Sequence, residues 1–347
     1  MSSRASVETC DIFVTRRIRP EGLAILEGES HYRVWPGPED AGPDRSTLLR
    51  EVKRCRVLLS LLTEQIDRTV LEANERLLGV ANYAVGFNNI DIDLATAMGI
   101  PVTNTPGVLT ETTADLSWAL LMAVARQIPQ AHNYMVAGRY RLWGPNLFLG
   151  SDISPGPKGA VKTLGIVGYG RIGQAVHRRA TGFDMRILAY DPPARELIER
   201  SEGVEHRDLP DLLEESDFVT LHCVLTGETR HLISKEELKR MKKTAYLINA
   251  SRGPVVDEKA LVWALENGEI AGAGLDVYEE EPNMAPGLAE SENVVLLPHV
   301  ASASKATRAE MARMAARNAL ALLNKERAPN TVNPSVYDSD AYLKRIS

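Results

Sequence analysis

The chain has 347 residues, which at roughly 150 residues per domain predicts about two domains. Its net charge of −6, from 40 Lys and Arg against 46 Asp and Glu, argues against a nucleic-acid binder, which needs a net basic face to displace counterions. With 44% apolar and 25% charged residues, the composition is that of a globular protein able to bury its cores without disulfide staples.

In chain order, apolar runs of strand length alternate with helix-period segments. The early strands are expected at 11–15, 57–62, 78–81 and 101–104, with a helix over 91–98. A long helix is expected from Glu111 to Ala137, opened by the capping pattern Thr110-Glu111-Thr112-Thr113 and closed by Gly138. Strands then recur at 163–167, 185–190, 218–223, 245–249, 272–277 and 294–297, with helices between most of them. Continuous apolar strands of this kind belong to parallel sheets covered on both faces, so two α/β units are expected. A Gly- and Pro-rich stretch, 138–162, looks at first like the junction. A further helix at 304–324 follows the last strand with no new sheet to join, however, and such a helix is expected to cross back to the first unit.

The three cysteines, Cys10, Cys55 and Cys223, form no CxxC or Cys/His cluster, so neither a disulfide framework nor a metal site is expected. The segment Met1–Cys10 has no apolar run of the secretory kind. The most apolar run, Leu116–Ala125, is about half the ~20 residues of a membrane span. A cytoplasmic location with no membrane partner is expected.

Four motifs carry chemistry. Gly168, Gly170 and Gly173 form G-x-G-x-x-G between an apolar strand and a helix. The first glycine permits the tight turn, the second lets backbone approach a pyrophosphate, and the third lets helix and strand pack closely. Asp191 follows the next strand, where an acidic residue takes the adenosine ribose hydroxyls and disfavours a 2′-phosphate, so NAD(H) is expected over NADP(H). Arg195 is a possible phosphate partner, with a solvated helix-surface arginine as the plainer reading. Arg252 ends an apolar strand, as a ligand for a carboxylate or polarised carbonyl or as a helix-start charge paired with Asp257 or Glu258. His299 ends another strand as a proton donor, with His222 its rival. The acidic run Glu279-Glu280-Glu281 can supply a carboxylate to tune such a histidine, and spacing does not choose among the three.

Taken together these residues resemble the D-isomer-specific 2-hydroxyacid dehydrogenases over essentially the whole chain. The resemblance rests on Gly168–Gly173, Asn249–Asp257, Gly274–Pro282 and Pro298-His299, in that order and at those separations. Tyr83–Asp91, Asn104–Asp115, Trp143–Gly150 and His299–Ser304 are most similar to the glyoxylate and hydroxypyruvate reductases of that family. Val224 stands where many members have proline, and Glu281 where formate dehydrogenases have glutamine. The resemblance implies two Rossmann-like domains: a doubly wound dinucleotide-binding domain over 113–302, and a flavodoxin-like substrate domain combining 1–112 with 303–347. It implies Arg252, Glu281 and His299 as catalytic residues. Thr113, Gly168, Gly170, Arg171, Ile172, Gly173, Asp191, His222, Thr229, Ala250 and Asp276 would bind the cofactor. Val85 and Gly86 would hold the substrate carboxylate, and Trp143 would shape the pocket.

The activity so implied is NADH-dependent reduction of a small 2-oxo acid by a homodimer. Other 2-hydroxyacid or phosphite dehydrogenases, and NAD-sensing corepressors with the same fold, are the alternative readings.

Overall fold

The computed structural model describes residues 9–347, so part of the N-terminal stretch read for a leader, residues 1–8, lies outside the described residues. The chain divides into two compact units, one combining the residues up to 109 with 303–347 and the other comprising 110–302.

The first unit is built on strands β1 (Cys10–Val14), β2 (Tyr32–Val34), β3 (Cys55–Ser60), β4 (Gly79–Asn82) and β5 (Val102–Thr103). They form one parallel sheet in the order β2-β1-β3-β4-β5. Successive side chains of a strand point to opposite faces. Val14, Val57 and Leu59 accordingly pack with Met311, Ala315 and Ala319 of the helix Lys305–Leu323, while Phe13, Leu58, Val80 and Val102 fill the other face. Ser304 caps that helix by accepting the Thr307 N–H at 3.1 Å.

The second unit holds β6 (Thr163–Val167), β7 (Arg186–Tyr190), β8 (Glu205–His206), β9 (Phe218–Leu221), β10 (Tyr246–Asn249), β11 (Gly272–Leu275) and β12 (Val294–Leu296). All pair in parallel, in the order β12-β11-β10-β9-β6-β7-β8. The strand order reverses between β6 and β9, and the carboxyl ends of such a pair form the crevice where open α/β sheets take ligands. Both sheets are therefore of the α/β, doubly wound type.

The expected helix over 111–137 is two helices, Thr110–Ala125 and Ile128–Val136. Pro129 has no N–H for the Ala125 carbonyl four residues back, and Gln127 turns left-handed at φ 49°. The Ser151 N–H donates to the Ala125 carbonyl instead, at 2.9 Å. Strands β2 and β8 escape the apolar-run criterion because each is a short, partly exposed edge strand. Among the described residues no helix is long and apolar enough to cross a membrane, and no group of three or more His, Cys, Asp or Glu is placed to hold a metal ion.

Candidate active site

The turn after β6 is shaped by its glycines. Gly168 sits at φ 94°, and a Cβ there would meet the Cys223 amide nitrogen at 2.4 Å. A Cβ on Gly173 would lie 2.2 Å from the Gly168 carbonyl oxygen, so helix and strand touch through backbone. Gly170 faces open space, and it caps the helix Arg171–Ala180, whose first turn carries Arg171 and Ile172. A crowded first and third glycine around an open second one is the cradle that a pyrophosphate fills.

Asp191 lies across from this turn, and its Oδ2 accepts the Tyr169 N–H at 2.7 Å. Arg195 is turned to Glu199, with Nε 2.9 Å from Oε1. His222 leaves β9 beside Gly168. Its Nε2 lies 2.8 Å from the Thr220 hydroxyl, and its Nδ1 is buried with no protein partner. Burial pushes the His222 ring down to about 3, so it stays neutral at the crevice. The Thr229 hydroxyl donates to the Val224 carbonyl at 2.6 Å and so ties its own loop.

Three strand ends of the same sheet bring in the expected reactive groups. Arg252 follows β10, just beyond the buried Ala250, and its Nη1 donates to the Ser251 carbonyl at 2.6 Å. Burial disfavours its charge, and the Glu281 carboxylate opposes that effect. His299 follows β12 with φ 54°, a left-handed conformation uncommon outside glycine that histidine tolerates better than most residues. Its Nδ1 is 2.9 Å from Glu281 Oε2, while Glu281 Oε1 accepts the Tyr278 N–H at 3.1 Å. Burial would raise the Glu281 carboxyl, but the His299 hydrogen bond and charge, the Tyr278 amide and Arg252 together hold it below the usual carboxylate range.

The acidic run resolves into different tasks. Glu279 also meets a histidine, with its Oε1 2.6 Å from His231 Nε2 and 3.0 Å from Arg230 Nη2. Its backbone N–H donates to Glu258 Oε1 at 3.0 Å, tying it to the start of the helix Glu258–Glu266. Glu281, not Glu279, is the carboxylate that acts on Arg252. Asp276 is fully buried at the end of β11, where its two oxygens accept the Val300 and Ala301 N–H groups at 2.7 and 2.8 Å. Its backbone carbonyl accepts the His299 N–H at 2.9 Å. Asp276 thus braces the segment that bears the histidine, and burial pushes its own carboxyl up.

Thr113 is buried in the first turn of the helix Thr110–Ala125. Val85 and Gly86 belong to the first unit, on the half-buried loop after β4. Trp143 is 71% exposed on the segment after the helix Ile128–Val136, so the second unit does not by itself enclose it.

Residues 118–301 match the model of the D-isomer specific 2-hydroxyacid dehydrogenase NAD-binding domain. A glyoxylate reductase of Korarchaeum cryptofilum is 52% identical over 328 residues, covering 94% of this chain and 96% of that one. The chain belongs to the D-isomer-specific 2-hydroxyacid dehydrogenases. Among solved structures, the TT0316 protein of Thermus thermophilus superposes with a TM-score of 0.83 at 39% identity, covering 93% of this chain and 99% of that one. An NADPH-dependent glyoxylate/hydroxypyruvate reductase of Sinorhizobium meliloti does so with 0.79 at 33% identity, covering 94% and 98%.

This dehydrogenase is therefore an oxidoreductase that uses a nicotinamide dinucleotide to reduce 2-oxo acids. Two of its supporting residues carry no signal in the sequence. Tyr278 gives its N–H to Glu281 and its hydroxyl to the Leu297 carbonyl at 2.9 Å, and burial pushes its phenol up to about 12, so it remains a donor. Tyr169, between the first two glycines of the turn, buries its ring with its hydroxyl 2.6 Å from His177 Nδ1. Neither residue type nor spacing announces either contact, because both depend on which loops the sheet brings side by side.

Proposed function

We propose that this dehydrogenase reduces glyoxylate to glycolate and hydroxypyruvate to D-glycerate, with NADH preferred over NADPH. The observation that carries the proposal is the doubly held carboxylate of Glu281, with one oxygen on His299 Nδ1 and the other on the Tyr278 amide. That arrangement fixes the imidazole so that Nε2 is the nitrogen presented to a substrate oxygen, and it places a negative charge beside the ring as it carries its proton.

Bound dinucleotide in its reduced form supplies the hydride. The chain does the rest. The amides of Val85 and Gly86 take the substrate carboxylate. Arg252 pairs with the carboxylate and polarises the ketone oxygen, stabilising the charge that develops there. His299 delivers the proton that turns this oxygen into the hydroxyl, and Glu281 steadies the imidazolium until it does. Gly168, Gly170, Arg171, Ile172 and Gly173 accommodate the pyrophosphate. Asp191 takes the ribose hydroxyls, and Asp276 is assigned the carboxamide. Thr113, His222, Thr229 and Ala250 line the rest of that cleft.

The NADH preference rests on Asp191, whose carboxylate repels a 2′-phosphate, while Arg195 pairs at the surface with Glu199. The Sinorhizobium relative, described as NADPH-dependent, makes the cofactor the finer question. Following absorbance with glyoxylate, hydroxypyruvate and pyruvate, with NADH and NADPH in turn, and with phosphite and NAD+ in the oxidative direction, tests the whole reading. Turnover of phosphite but of no 2-oxo acid would overturn the substrate assignment, and equal rates with NADPH would overturn the cofactor assignment.

A homodimer is part of the same proposal. Val136 is 73% exposed, Leu142 84% and Leu149 66%, apolar side chains of one segment that a second copy of the chain would cover. Sedimentation at a monomer mass over the micromolar range would rule it out.

A further inference from the structure

We propose that Asn82 and Asn104 are positioning residues that turn the loop after β4 into a receptor for the substrate carboxylate. This inference rests on the functional reading above and assigns to two buried asparagines the task of aiming its anion-binding amides.

The loop begins where β4 ends, and three consecutive carbonyls in it are held by donors of the first unit. The Thr105 N–H donates to the Ala84 carbonyl at 2.9 Å. Asn104 Nδ2 donates to the Val85 carbonyl at 2.8 Å, and Asn82 Nδ2 donates to the Gly86 carbonyl at 2.8 Å. A trans peptide is planar, with its C=O and the next N–H pointing in opposite directions. Each captured carbonyl therefore fixes the N–H that follows it. The N–H groups of Val85, Gly86 and Phe87 accordingly point away from the donors at the carboxyl ends of β4 and β5 that hold the carbonyls. Successive backbone N–H groups facing one way make a concave site for an anion with no charged side chain.

The two amides are built in rather than incidental. Asn82 is fully buried at the last position of β4, and Asn104 is 8% exposed just beyond β5. The pairing of Ala81 with Thr103 sets the two asparagines abreast on one face of the sheet. The backbone of Asn104 is itself pinned. Its N–H donates to the Asn330 carbonyl at 3.1 Å, and its carbonyl accepts Asn318 Nδ2 at 3.0 Å. An asparagine amide suits this task because it donates strongly yet carries no charge that would compete with, or repel, the incoming carboxylate.

The test uses Asn82→Ala and Asn104→Ala in the full-length enzyme with NADH. Each variant frees one carbonyl, so the peptide that follows can rotate away. We expect KM for glyoxylate and the inhibition constant for oxalate to rise about tenfold or more, the effect of losing an aligned hydrogen bond to a charged group. We expect KM for NADH and the saturated kcat to change by less than about threefold, a split that general loosening of the fold does not produce. Unchanged glyoxylate KM in both variants, or a parallel loss of kcat and NADH binding, overturns the proposal. A measurement on the unaltered protein covers the case in which neither variant folds: with NAD bound, oxalate slows amide exchange at Val85, Gly86 and Phe87, and no slowing there overturns it. Failure of the functional reading looks different, because the unaltered chain then turns over no 2-oxo acid with either dinucleotide.

Discussion

Gly253 lies against the carbonyl of Tyr278 so closely that a Cβ on the glycine would fall 1.7 Å from that oxygen. The contact joins the turn that carries Arg252 to the segment that carries Glu281. Gly253→Ala must push these two segments apart. The variant is expected to lose stability by about 1–3 kcal/mol, as overpacking typically does, and to lose turnover by more than that strain alone explains. Urea unfolding and kcat/KM for glyoxylate, measured on the same preparation, check both. An alanine variant with unaltered kinetics would show that the two segments need not touch.

His299→Ala is expected to lower kcat about 10²–10⁴-fold, the usual cost of removing a proton-transfer group. His231→Ala is the control, since that histidine makes an even shorter contact with a neighbouring glutamate, 2.6 Å against 2.9 Å. It should retain most of the activity. Comparable losses in both variants would undo the choice between the two pairs.

The pH dependence of stability reports on Glu281. Its carboxyl is held below its ordinary value of 4.5, so the folded state binds the proton less readily than the unfolded chain. Its contribution is therefore present in full above about 4.5 and is lost as the pH falls through the lowered value. The stability gap between the natural enzyme and Glu281→Gln should be widest near neutral pH and close in acid. A gap that widens on acidification would contradict the assigned direction.

His222 predicts a second acid effect at higher pH. Its ring falls from an ordinary 6.5 to about 3 through burial. The unfolded chain takes up a proton that the folded one refuses, so stability declines as the pH drops below about 6.5. In His222→Asn the unfolding free energy should fall less steeply between about pH 7 and pH 5. Identical slopes in the two proteins would mean that the ring is not shielded.

Asp191→Ser removes the carboxylate proposed to take the adenosine ribose hydroxyls. The ratio of kcat/KM with NADPH to that with NADH should rise by at least about tenfold, through loss of repulsion toward a 2′-phosphate. A ratio that does not move would place cofactor discrimination elsewhere.

The central strands and the glycine turn were legible because their signals are local. An apolar run such as Thr163–Val167 is buried on both faces, and Gly168 needs its positive φ whatever surrounds it. The edge strand Glu205–His206 has no such run, being half in water. Pro129 did carry the signal for the helix break, but apolar periodicity continues across it. The acidic run shows the deeper limit. Glu279 and Glu281 are alike in sequence and each meets a histidine, and only the third dimension assigns one to a helix start and the other to Arg252. Likewise no pattern marks Asn82 and Asn104, whose work is done on the carbonyls of a loop.

The bond from the Ser151 amide to the Ala125 carbonyl has a consequence for how such enzymes diverge. The chain departs from the helix Thr110–Ala125 at that carbonyl and comes back to the same point, where a Cβ on Gly150 would already stand 2.2 Å from the oxygen. Everything strung between is a detour with a fixed entrance and exit. The entropy of closing such a detour grows only with the logarithm of its length. Descendants can therefore lengthen, trim or recompose this arm, and with it whatever it meets outside the fold, while the hydride-transfer machinery is left undisturbed.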